Sequence, residues 1–252
     1  MMTLSIVSHR QASLVATLLR DLARIHSPLV AAIVLTRNVD EDAFVVPDEL
    51  KERTRVIVNA QPHGFGANHN AAFALCSTPF FVVLNPDIRI DIDPFCALLA
   101  RLEAATPTTR HAVALVAPRI VAPDGRDEDA ARKLITPWRL FAHRVLARDR
   151  RAASDFDWLA GMFLATRSAA FREVGGFDER YFMYCEDFDL CARLRLAGWA
   201  IALADTVSVV HDAQRASHRS TKHLLWHVTS LLKMWTSATF WRYRQALSGP
   251  LR

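Results

Sequence analysis

Phe80-Phe81-Val82-Val83-Leu84-Asn85-Pro86-Asp87 is the stretch that decides the fold. Its five apolar residues read as a strand, and Asn-Pro-Asp closes it with turn-forming residues, so Asp87 is predicted just beyond the strand's carboxyl end. Working outward, residues 4–8, 30–35, 55–58 and 112–116 are further short apolar runs, with helical spacing at 11–25, 67–76 and 94–104 between them. Strands alternating with helices imply βαβ units and a parallel sheet, whose ligands gather beyond the carboxyl ends of the strands. Ser8, Asn59 and Asp87 all fall at such ends.

A second group of carboxylates lies far downstream, in Tyr184-Cys185-Glu186-Asp187-Phe188-Asp189-Leu190. It opens a helix that ends near Gly198-Trp199, where glycine is a natural stop. The free N–H groups at a helix start favour acids, so these residues fit plain helix electrostatics as well as chemistry. Asp87 suits a divalent cation and the later acids a base facing it, a pairing that fits group transfer from a phosphorylated donor. Taken alone, Asn-Pro-Asp is equally a simple turn. Asn85 can reach a ribose or a water but brings no charge to a metal. Ser8 and Arg10, just after the first strand, are placed to touch a base or ribose. Gly64-Phe65-Gly66 is no dinucleotide fingerprint, because His69 stands at the third glycine position. Its glycines are expected to let the loop approach a nucleotide, with Asn70 reaching the donor, or else to serve a helix start.

Composition sets the frame. With 252 residues and 51% hydrophobic content, one large α/β domain with or without a helical extension is expected. The four cysteines form no CxxC pair, which fits a reduced, cytoplasmic chain. The start lacks a signal-peptide pattern, and no apolar run approaches the roughly 20 residues that span a bilayer. The net charge of +5 is uneven: residues 213–252 hold seven Lys/Arg and no acid, which leaves the rest slightly acidic. The span 124–154 is polar and Arg-rich and reads as an insertion or mobile loop. These two basic regions imply anionic partners. The division is therefore a body at 1–212 and a basic tail at 213–252. Within the tail, 217–247 is helical with an apolar stripe of Leu224, Leu225, Val228, Leu231, Leu232 and Trp235. That pattern fits a helix docked on the body, or one lying peripherally on the cytoplasmic face of the inner membrane.

In order and spacing, several segments together resemble the family 2 glycosyltransferases, especially their bacterial rhamnosyltransferase-like branch. They are Ser5-Ile6-Val7-Ser8, Gly64-Phe65-Gly66-Ala67-Asn68-His69-Asn70, Leu84-Asn85-Pro86-Asp87, Trp158-Leu159-Ala160-Gly161, Gly175-Gly176-Phe177-Asp178, Glu186-Asp187-Phe188-Asp189-Leu190, Gly198-Trp199 and Val210-His211. The resemblance covers residues 4–211. It implies a GT-A fold, a Rossmann-like nucleotide-binding mixed sheet flanked by helices, here with a C-terminal helical extension. It implies an inverting transfer of a sugar, rhamnose foremost, from a dTDP- or UDP-sugar to a glycan or lipid-linked acceptor with Mn²⁺ or Mg²⁺. Asp187 would be the base, Asp87 and His211 the metal contacts, and Trp158, Gly161 and Glu186 the acceptor and sugar side. Asn-Pro-Asp replaces the family's commoner Asp-x-Asp, and Thr36-Arg37-Asn38 stands where a base-reading acid is frequent. Two other classes compete: a metal-dependent nucleotidyltransferase, and a non-enzymatic basic nucleic-acid-binding protein. The segregated charge and the lack of an interleaved recognition motif speak against nucleic acid.

Overall fold

The computed structural model describes residues 1–104, 112–128, 130–134, 136, 156–212 and 221–248. In chain order the strands are β1 (Met2–Ser8), β2 (Val30–Arg37), β3 (Thr54–Val58), β4 (Phe80–Leu84), β5 (Ile88–Arg89), β6 (Val113–Val121), β7 (Ala131–Arg132), β8 (Trp158–Leu159), β9 (Phe163–Arg167) and β10 (Ala200–His211). The helices are α1 (Ala12–Ile25), α2 (Asp48–Lys51), α3 (Phe65–Phe73), α4 (Phe95–Glu103), α5 (Ser168–Glu173), α6 (Glu186–Leu196), α7 (Thr221–Thr236) and α8 (Ala238–Ser248). Eight strands form one sheet in the order β3-β2-β1-β4-β9-β6-β10-β5. β9 and β5 run antiparallel to their neighbours, so the sheet is mixed, and β7 pairs with β8 in a separate ribbon.

Every residue of β4 is buried, because helices cover both faces of the central strands. One apolar cluster, with Leu18 and Leu22 of α1 and Leu98 and Leu102 of α4, packs on one face. The other holds Phe171 of α5, Phe188 and Leu194 of α6, and Phe240 and Tyr243 of α8.

Two expectations about the tail and the span 124–154 are corrected. The apolar runs 201–203 and 207–210 fall in the single strand β10. A register shift between Ala204 and Ser208 lets the polar Asp205 and Thr206 turn outward, which interrupts the apolar pattern without ending the strand. The tail helix expected over 217–247 is two helices, with 217–220 outside the described residues. Ser237 ends α7 and caps α8, its Oγ accepting from the Phe240 N–H. The span 124–154 begins as ordered structure: a Pro-Asp-Gly turn closes on Ala122, and Arg132 pairs with Trp158. Residues 129, 135 and 137–154 lie outside the described residues.

Candidate active site

The parallel strands end on one rim, and register decides what meets there. β5 pairs antiparallel with the end of β10, Ile88 opposite His211, so Asp87 arrives beside the imidazole. Asp87 Oδ2 lies 3.2 Å from His211 Nε2, and the Asp212 N–H donates to the Asp87 carbonyl at 2.9 Å. His211 Nδ1 lies 2.6 Å from Glu128, which the turn after β6 delivers. Burial pulls the imidazole's pKa down, but its hydrogen bonds and charge interactions with Asp87 and Glu128 win, pushing it up to about 9.

Asp87 Oδ1 is buried and has no hydrogen-bond partner, an expensive state for a carboxylate oxygen unless something else fills it. Asp87, and His211 once it has given up its Nε2 proton, would offer one oxygen and one nitrogen to a divalent cation. Among the described residues no group of three His, Cys, Asp or Glu side chains could hold a metal by itself. The donor set fits a cation that takes its remaining ligands from phosphate oxygens and water.

Asp187 reaches the same rim from α6. Tyr184 and Cys185, both non-glycine, sit in left-handed conformations with φ 71° and 68°. Such geometry costs about 1–3 kcal/mol per residue and tends to be kept where it aims something. Here it turns the first residues of α6 onto the β8–β9 connection. The Gly161 N–H donates to Asp187 Oδ2 at 2.9 Å, and the Phe188 N–H donates to Oδ1 at 2.8 Å. One residue past Gly161, the Met162 carbonyl accepts from the Asn85 N–H, two residues before Asp87. The two aspartates therefore flank one short stretch of backbone. Burial raises the Asp187 pKa, and Arg132 with the two N–H bonds pulls partly the other way. A carboxylate kept charged in a dry site is a better base than one in water.

Ser8 and Arg10 lie at the other end of the rim. A cleft of about 440 Å³ runs past the ends of β1, β2 and β3, lined by Arg10, Arg37, Asp40, Asn59 and Gln61 among others. Ser8 faces inward and donates to Glu41 at 2.7 Å, and Glu41 also accepts from the Gln11 N–H. Asp40 and Glu41 supply acids a few residues past Asn38, at a place where sequence reading found none. The signal was the run Asp40-Glu41-Asp42, easily taken for a solvated loop.

Other expected contacts are engaged elsewhere. Asn70 spends its amide on the turn at Gly176, accepting from the Phe177 N–H and donating to the Phe177 carbonyl, both at 2.9 Å. The glycines at 64 and 66 admit protein, not nucleotide: a Cβ on Gly64 would lie 2.7 Å from the Phe182 carbonyl, and one on Gly66 2.6 Å from the Phe177 Cβ. Trp158 is 4% exposed, with Arg132 over its ring at 5.2 Å and Phe188 at its edge. It forms part of the wall and offers no open face for a sugar. Glu186 is buried, its Oε2 lacks a partner, and burial first and Asp187 second raise its pKa well above the usual range.

Comparison with known proteins agrees with this geometry. Residues 2–231 match the model of the family described as glycosyltransferase like family 2. The chain belongs to that family. It is 35% identical over 162 residues to an N-acetylglucosaminyl-diphospho-decaprenol L-rhamnosyltransferase of Mycobacterium tuberculosis, covering 58% of this chain and 51% of the relative. It is 30% identical over 188 residues to rhamnosyltransferase WbbL of Escherichia coli, covering 68% and 69%. The chain thus spans about half the length of the mycobacterial relative. A mannosyltransferase of Pyrobaculum calidifontis, solved with GDP-Man and Mn²⁺, superposes with a TM-score of 0.59 at 14% identity, covering 99% of this chain and 76% of that one. At that identity the likeness concerns the fold, which is of the GT-A type. None of these relatives supports the nucleotidyltransferase or nucleic-acid reading.

Proposed function

We propose that this family 2 chain is an inverting glycosyltransferase that moves a deoxyhexose, rhamnose foremost, from a dTDP- or UDP-sugar to a hydroxyl of a lipid-linked glycan at the cytoplasmic face of the inner membrane. The observation that carries the reading is the placement of a buried, N–H-held carboxylate, Asp187, and a half-satisfied one, Asp87, on either side of the Gly161-Met162 backbone. The names of the mycobacterial and Escherichia coli relatives support the sugar and the lipid-linked acceptor.

In this reading the cleft at Arg10, Arg37 and Asn59 takes the nucleoside, and Ser8 acts through Glu41 to set the shape of the loop beside it. Asp87 and His211 would hold a divalent cation, which when bound supplies positive charge for the departing diphosphate. Asp187 accepts the acceptor hydroxyl's proton. The acceptor oxygen then bonds to the anomeric carbon as the bond to the diphosphate oxygen breaks, and nucleoside diphosphate leaves with that electron pair. No covalent enzyme intermediate is required, so the anomeric configuration inverts. Gly161 and Phe188 hold both carboxylate oxygens by N–H bonds and so fix the base before substrate arrives.

A thermal-shift screen of sugar nucleotides, with and without Mn²⁺ and Mg²⁺, tests this reading. Stabilisation by one dTDP- or UDP-sugar, strengthened by metal, is expected. Release of pyrophosphate during turnover, or no response to any sugar nucleotide, contradicts it.

A further inference from the structure

α7 has two apolar faces, and the fold uses only one. Ser230, Leu231 and Met234 are buried against the body. On the other side Leu224, Leu225, Val228 and Leu232 stand 65%, 61%, 45% and 55% exposed, at spacings i, i+1, i+4 and i+8 that make one continuous stripe. Scattered exposed leucines need no explanation, but a stripe of four large aliphatics on one helix is a surface awaiting a partner.

The surroundings of the stripe say which partner. Lys222 and Lys233 flank it, and α8 adds Trp241, 52% exposed, beneath Arg244 at 5.1 Å, with Arg242 beside it. No acid occurs after Asp212 in the sequence. An apolar strip edged by lysine, arginine and tryptophan is the composition of a helix lying in a lipid headgroup layer. A second copy of the chain is disfavoured, because pairing this face with itself would set basic edge against basic edge.

Position links the stripe to the cleft. From the same helix His223 Nδ1 lies 2.9 Å from Tyr184 Oη, Trp226 packs on Phe182 with ring centroids 4.9 Å apart, and His227 meets the Tyr184 ring edge-on at 4.7 Å, three residues before Asp187. We propose that the outer face of α7, formed by Leu224, Leu225, Val228 and Leu232, docks on an anionic bilayer surface and sets the Asp187 side of the cleft at the headgroup layer. The docking rests on this face alone. Only its use, meeting a lipid-linked acceptor, rests on the function proposed above.

Co-sedimentation of the full chain with phosphatidylcholine vesicles, with and without phosphatidylglycerol, reads the docking directly. Binding to the anionic vesicles is expected to exceed binding to neutral ones by about tenfold and to weaken with added salt. Replacing the stripe by Leu224→Gln, Leu225→Gln, Val228→Gln and Leu232→Gln is expected to lower binding by about tenfold or more, with circular dichroism and thermal midpoint near wild type. Should that variant fold poorly, Arg242→Gln with Arg244→Gln gives a second reading, in which the preference for anionic lipid shrinks. Equal vesicle binding by variants and wild type overturns the proposal. So does a dimer in sedimentation velocity that the stripe variant abolishes while vesicles bind neither protein. If the sugar donor or acceptor is misassigned, vesicle binding stays and only transfer fails, so the two proposals fail separately.

Discussion

Glu128 illustrates how far one side chain's meaning depends on its neighbours. It follows a Pro-Asp-Gly turn and has no local signature, yet it accepts from His211 Nδ1 and so leaves Nε2 turned toward Asp87. A carboxylate behind a ligating histidine fixes its tautomer and orientation. Glu128→Ala is therefore expected to weaken Mn²⁺ binding in the presence of nucleoside diphosphate by about 10–100-fold, read by titration of free Mn²⁺ with electron paramagnetic resonance. Unchanged affinity would show that the contact is structural only. Glu186 makes a different prediction. Its raised pKa means the folded protein holds this proton more tightly than the unfolded chain does. Stability should then fall as pH rises from the ordinary glutamate value of 4.5 through the raised one. Glu186→Gln removes that proton, so its thermal midpoint should drop less than wild type's between about pH 5 and about pH 8. Equal drops would contradict the assignment.

Elements differ in how plainly the sequence announces them. β4 is a run of five apolar residues ended by Asn-Pro-Asp, and its bounds in the structure are those expected. β1, β2 and β3 follow the same rule to within a few residues. The two-residue strands β5, β7 and β8 are too short to carry a period, and only their partners define them. That gap matters at the site, because the meeting of Asp87 with His211 depends on the register of β5 against β10. The tail misled for another reason: Ser237 breaks a helical pattern by capping, which hydrophobic spacing does not show. α8 is not an appendage. Phe240 is fully buried and packs against Phe188 of α6 with centroids 6.1 Å apart. Phe240→Ala should cost about 3–5 kcal/mol of stability, measured by denaturant unfolding, whereas a loosely attached tail would lose far less.

At the scale of the molecule, the chain solves one problem with its sheet and another with its last two helices. The rim of parallel strands gathers Arg10, Asn59, Asp87 and His211 from elements distant in sequence, and α6 brings Asp187 in from the far side of β9. Sequence order and motif spacing sufficed for the family. They could not distinguish a wall residue such as Trp158 from an open one, because exposure is a property of the packed whole. The raised Asp187 pKa gives a test of the whole arrangement: the acidic limb of kcat/KM for transfer should lie above an ordinary aspartate's 3.8. The most direct measurement combines donor binding and transfer in Asp187→Asn. Sugar-nucleotide affinity should stay within about twofold of wild type while turnover falls by about 10²–10⁴. Turnover near wild type in that variant would contradict the claim that Asp187 takes the acceptor's proton across the cleft from Asp87.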